Sequence, residues 1–208
     1  MGYNLFSYGI KTTKIQSVFG CKDQVILNKI KATAMFKNYD DFQPTGFETS
    51  PSKALEDIIN AATYDKTSGF AYGYAVITIC AAFGHELPYN QEIKLGYETD
   101  FINQYLDESF DIKDLALEDL LLADDTNPFQ IPPIEDWPVI GWLSNALLVE
   151  LKDEMKHIHI ADEDISKLQE REEEEEEEKG FAYEHIRGVI KNIDYCVENN
   201  LDLITFCH

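Results

Sequence analysis

Residues Gly73 to Phe83, GYAVITICAAF, restrict the chain more than any other stretch. The segment has no polar face beyond Thr78, and a helix that is apolar all round must be buried all round. Its longest apolar stretch, Ala75 to Phe83, is far shorter than the roughly 20 residues a membrane-spanning helix needs. The segment is therefore expected to be the central helix of a soluble core, ended by Gly84, with Ile77 and Cys80 almost fully buried.

Tyr3 to Ile10 reads as a first strand. Thr13 is positioned to cap a short helix that ends at Gly20, and Ile26, Leu27, Ile30 and Ala34 recur at helical spacing from Asp23 to about Phe36. Asn38 to Thr49 reads as a loop. Ser50-Pro51 is a helix entrance, after which Leu55, Ile58, Ile59 and Ala62 face one way, and Gly69 breaks the chain. Phe101 and Tyr105, then Leu115 and Leu120 to Leu122, mark two short helices. Asn127 to Pro138 carries four prolines and reads as an extended loop, and with Trp137 and Trp142 flanking Pro138 and Gly141 it is expected to pack down on the core. Ser144 caps a helix bearing Leu147, Leu148, Leu151 and Met155, and Ala161 to Asp164 is a linker. After Gly180, Ile186, Val189, Ile190, Ile193 and Val197 form the clearest amphipathic helix, ended by Asn199-Asn200, and Leu201 to Phe206 is a last strand. Strands at both ends with helices between predict a helix-rich α+β fold, one domain over residues 1–208, with both end strands in one small sheet.

Charge narrows the class of partner. The chain has 39 acidic against 17 basic residues, a formal net charge of -22, and Glu172 to Glu178 are seven glutamates in a row. Such a surface repels nucleic acid and anionic membranes and attracts basic proteins. With 44% hydrophobic residues the chain is globular rather than disordered. Cys21, Cys80, Cys196 and Cys207 form no C-x-x-C pair, and there is no signal-peptide pattern, so a reducing cytoplasm is expected.

The glutamate run reads two ways. Like charges at i,i+3 and i,i+4 spacing repel by about 0.2–0.5 kcal/mol each, so an isolated helix there frays, and residues 168–180 read as a solvated, tolerated insertion. Alternatively Glu172, Glu174, Glu176 and Glu178 form an acidic docking arm for a basic partner; as a divalent-cation site the run has oxygens but no calcium-loop frame. His157 and His159 share a strand face but lack a third ligand and the i,i+4 spacing of a helical zinc pair, so no metal site is assigned. His85-Glu86, just past the apolar helix, is either an acid–base pair or a helix-end cation. No phosphate loop, dinucleotide fingerprint or nucleophile elbow occurs, and no cofactor is expected.

The stretches YNLFSYGI, SVFGCKDQVILNKI, ALEDIINA with GFAYGYAVITICAAFGHEL, and PPIEDWPVIGWLS, closed by LDLITFCH, resemble an uncharacterised family of small bacterial cytosolic proteins, a domain of unknown function. The resemblance spans most of the chain in order and implies no activity and no catalytic residue. The layout of the end strands is also similar in outline to the YfbM-like small bacterial proteins. The glutamate run departs from the family pattern. The expected function is a non-enzymatic interaction protein that binds a basic partner, as an antitoxin or immunity protein does. The other reading is a small enzyme or ligand binder with a pocket near Tyr72, Tyr74, His85 and Trp142.

Overall fold

The computed structural model describes residues 3–40, 49–112, 116–122, 127–170 and 174–208. In chain order its elements are β1 (Asn4–Ile10), α1 (Thr12–Gln16), α2 (Gln24–Lys31), α3 (Ala34–Asp40), α4 (Pro51–Asn60), α5 (Gly69–Phe83) and β2 (Ile93–Lys94). Then follow α6 (Tyr97–Phe110), α7 (Leu117–Leu121), β3 (Val139–Leu143), α8 (Asn145–Glu154), α9 (Asp162–Gln169), α10 (Glu174–Glu198) and β4 (Asp202–Cys207). The fold is α+β. The four strands form one antiparallel sheet in the order β2-β1-β4-β3. The two end strands lie side by side at its centre, Leu5 opposite Cys207 and Ile10 opposite Asp202.

Side-chain alternation divides the core in two. Phe6, Tyr8 and Ile10 of β1, Ile140 of β3, and Ile204 and Phe206 of β4 pack with α1 to α5. Leu5, Leu143, Leu203 and Cys207 point the other way and pack with α6, α7, α8 and α10. The sheet is thus the middle of three layers. An antiparallel sheet commonly leaves one face to water; here both faces are covered, which is why LITFC at the chain end is apolar at nearly every position. The exception, Thr205, sits 2.8 Å from Ser7 Oγ through its hydroxyl.

At the centre of the first layer is α5, where Ile77 and Cys80 are fully buried. It begins at Gly69, so that glycine opens the helix instead of breaking the chain. A Cβ there would lie 1.9 Å from the Pro133 carbonyl oxygen, so the site requires glycine for close approach. The entrance to α4 is as expected: Ser50 Oγ accepts from Lys53 N at 3.2 Å, with Pro51 in the first turn. Ser144 likewise accepts from Leu147 N and opens α8.

Several expectations need correcting. Thr13 lies inside α1, whose cap position is Lys11. The single helix from Asp23 to Phe36 is two: Asp23 caps α2, and Thr33 restarts the chain by accepting from Phe36 N at 3.1 Å. Asn38 to Asp40 complete α3, and the rest of that expected loop, 41–48, lies outside the described residues, as does Leu115. Ala62 lies past the end of α4 and is exposed. The Ala161–Asp164 linker is the entrance of α9. Val139 to Leu143, to which the sequence pattern assigns no element, is strand β3. Gly141 permits that strand: a Cβ would meet the Leu121 carbonyl oxygen at 1.8 Å, where α7 crosses it. Finally, the last amphipathic helix does not start after Gly180. That glycine lies within α10, where a Cβ would touch Leu168 and Gln169 of α9 at 3.1 and 3.2 Å.

Candidate functional site

The four residues expected to share a pocket have separate partners. Tyr72 and Tyr74 are two positions apart on α5, so they point in different directions. Tyr72 is fully buried; its hydroxyl donates to Asp57 Oδ2 at 3.2 Å and accepts from Asp65 N at 2.9 Å. Burial, and then the Asp57 carboxylate, push its pKa up, against the Asp65 N–H, which lowers it. Tyr74 packs on Tyr39, centroids 4.7 Å apart, and on His208. His85 is exposed, and its backbone exchanges two hydrogen bonds with Gly9. Trp142 donates from Nε1 to Thr12 Oγ1 at 3.0 Å. Thr12 in turn bonds Asp202, whose other oxygen accepts from Asn145 N at 2.8 Å, a network that ties α1, β3, α8 and β4 together. These are structural roles. His157 is committed as well: its ring nitrogens lie 2.9 Å and 3.0 Å from the carbonyls of Glu154 and Phe110, in a 3-10 turn rather than a strand.

The acidic run does lead to a surface feature. Glu172 lies outside the described residues, and Glu174 opens α10. The described part of the run is helical because terms absent from a local repulsion count hold it. The Glu175 carbonyl accepts from Tyr105 Oη at 3.3 Å, and Gly180 lets α9 approach closely. Lys179 Nζ lies 5.8 Å from the Tyr105 ring centre and 5.4 Å from that of Tyr183.

Beside it, between α6 and α10, is an open groove of about 270 Å³ lined by Tyr97, Glu98, Phe101, Glu177, Glu178 and Phe181. Its aromatic wall is built at helical spacing. Tyr97 and Phe101, one turn apart on α6, meet edge to face with centroids 5.0 Å apart. On α10, Glu177 and Glu178 lie four and three residues before Phe181, hence on its side of the helix. Tyr97 is 67% exposed, a large aromatic surface left to solvent. Glu98 is held in place: its Oε2 accepts from Lys94 N at 2.7 Å, and its Oε1 lies 3.8 Å from Lys94 Nζ. Electrostatics agree in sign. Helix α6 carries Glu98, Asp100, Asp107 and Glu108 and no basic residue. The pKa of Tyr105 is raised by burial and then by Glu175, Glu178 and Glu108. Of the four glutamates expected to dock a partner, Glu178 lines this groove; Tyr97, Phe101, Phe181 and Glu177 are not among the candidate site residues of the sequence. Glu177-to-Phe181 spacing was a readable signal, but the facing helix was not.

One turn beyond Phe181, His185 is buried at 2% exposure. Its ring meets Phe181 edge to face at 4.2 Å, and its Nδ1 is 2.7 Å from Tyr89 Oη. Further along the same face, Gly188 admits the Tyr89 ring, and Asn192 both donates to Tyr89 O at 2.8 Å and accepts from Tyr89 N at 2.9 Å. Burial lowers the pKa of His185, outweighing Glu98 and Glu184, which raise it. The neutral ring therefore supports folding fully above the unfolded value near 6.5, and that support is lost as pH falls through the lower folded value. The urea midpoint should be lower at about pH 5.5 than at about pH 7.5, and the difference should shrink in His185→Gln. An unchanged difference would show that His185 does not titrate with unfolding.

Among the described residues, no helix is long and apolar enough to cross a membrane, and no group of three or more His, Cys, Asp and Glu side chains could hold a metal ion. A family model for a domain of unknown function, DUF7691, matches residues 1–208. Neither the curated proteins nor the solved structures contain a match.

Proposed function

The chain belongs to the DUF7691 family, and we propose that it is a non-enzymatic binding protein whose α6–α10 groove receives a lysine or arginine side chain from a basic protein partner. The observation that carries this reading is the pairing of two features in one open groove. Tyr97, Phe101 and Phe181 supply aromatic faces, and Glu177 and Glu178 supply carboxylates, Glu98 being already paired with Lys94. An aromatic face attracts a cation by about 0.5–2 kcal/mol, more as the site dries. Carboxylates speed its approach and set its sign. Lys179 makes the same kind of contact within the molecule, over Tyr105 and Tyr183. The net charge of -22 extends the attraction beyond the groove and opposes binding of DNA or RNA. The setting would be a reducing cytoplasm, consistent with four free cysteines, three of them buried.

The test is titration with a short lysine-rich peptide by calorimetry. Tyr97→Ala should weaken binding by about 2- to 30-fold, the factor corresponding to one cation–aromatic contact. The exposed position of Tyr97 makes a folding defect easy to exclude by circular dichroism. If the peptide binds and Tyr97→Ala leaves its affinity unchanged while Glu→Gln changes anywhere on the surface reduce it, attraction is diffuse and the groove is not the site.

A further inference from the structure

The outer edge of β1 carries a second site. In the β1–β4 ladder, Asn4 and His208 exchange both backbone hydrogen bonds, so the even residues of β1 bond inward to β4. The odd residues, Leu5, Ser7 and Gly9, therefore present N–H and C=O outward. Leu5 is answered by Ile93 of β2, and Gly9 by His85, which exchanges bonds with it at 2.7 and 3.1 Å. Between these two closures, residues 86–92 arch away from the strand. Ser7 is left opposite the arch, and among the described residues no group pairs with its outward N–H or C=O.

That gap is a cavity of about 220 Å³, the liquid volume of about seven waters at roughly 30 Å³ each. Its walls are mostly apolar, among them Leu5, Leu87, Ile93, Val189 and Leu203, and Glu86 and Glu92 stand exposed in its lining. Asn192 and Tyr89, which also line it, are committed to each other and hold the arch on α10. The cavity is thus a fixed gap rather than a loose loop.

We propose that this gap binds a small cationic amide, the size of one capped amino acid, which pairs with Ser7 as a single residue of a missing strand. An unpaired donor and acceptor side by side on an extended residue match the N–H and C=O of one amino-acid unit. The charge lies near Glu86 and Glu92. A longer strand is excluded, because Gly9–His85 and Leu5–Ile93 close the edge on either side. The site is separate from the α6–α10 groove and stands or falls independently of it.

The experiment is an amide NMR titration of the full chain with N-acetyl-lysine-N-methylamide, and with the glutamate analogue as control. The Ser7 amide is expected to exchange rapidly in the free protein. Its resonance should shift saturably with the lysine compound and not with the glutamate compound, and it should become protected on saturation. Glu86→Gln with Glu92→Gln, both at exposed positions, should weaken binding at least tenfold. Ser7→Pro, which removes the outward N–H together with the hydroxyl contact to Thr205 but no bond of the inner ladder, should abolish it, and Ser7→Ala, which removes the hydroxyl contact alone, should keep it. The proposal is overturned if Ser7 is already protected in the free protein, if millimolar lysine compound leaves its resonance unmoved, or if both compounds shift it equally.

Discussion

Ile77→Ala is expected to lower the free energy of unfolding by about 2–5 kcal/mol, the range for truncating a fully buried isoleucine. Ile77 lies in the middle of α5, surrounded by the first core layer, and has no solvent exposure. The lost methyl groups leave a cavity whose walls cannot collapse freely, because α5 is hemmed in by the sheet on one side and by α4 and the proline loop on others. For a chain of this length each kcal/mol corresponds to roughly 2–4 °C of melting temperature. Urea titration gives the number directly, and a loss under about 1 kcal/mol would place α5 at the periphery.

Ile193→Ala should do comparable damage, about 2–5 kcal/mol, from the other side of the sheet. Ile193 is 1% exposed on α10 and belongs to the second layer, with Leu203 and Cys207. The sheet separates the two positions, and they belong to different clusters, so their effects should add to within about 0.5 kcal/mol. Val25→Ala is the control: Val25 is 76% exposed and should change stability by no more than about 0.5 kcal/mol. A large loss for Ile77 with almost none for Ile193 would mean that α10 does not cover the sheet.

How much of this was legible in the sequence depended on whether the signal was local. The end strands and α5 were: β1 alternates loosely, and β4 and α5 are apolar at most positions and bounded by turn residues, patterns with few other readings. The Ser50 and Ser144 caps were legible for the same reason. Strand β3 was not: five residues behind four prolines, with Gly141 in the middle, look like loop, and that glycine makes sense only once α7 is seen crossing it. Strand β2 is two residues whose role comes from pairing with Asn4 and Leu5. The break between α2 and α3 was hidden because apolar periodicity continues across it while Thr33 recaps the chain. The glutamate run misled in a different way. Repulsion between neighbours is a local quantity and was counted, whereas the Tyr105–Glu175 hydrogen bond and the close approach at Gly180 are tertiary and were invisible. The groove follows the same rule. Its α10 half is written in the spacing of Glu177, Glu178 and Phe181, but Tyr97 and Phe101 come from far earlier in the chain and are brought alongside only by packing.

The reading of the protein as an acceptor of basic side chains is tested most directly by mapping where a cation lands. The uniformly labelled full chain would be titrated with a short lysine-rich peptide at low salt, its amide and aromatic resonances followed, and the titration repeated at about 0.3 M salt. At physiological ionic strength charges are already screened over about 8 Å, so the added salt suppresses the diffuse attraction first. The expected result is that the largest shifts fall on Tyr97, Phe101, Phe181 and their neighbours in α6 and α10, that affinity drops with salt, and that the set of shifted residues stays the same. Shifts spread over the whole acidic surface, or concentrated on the other helical layer, would contradict the account.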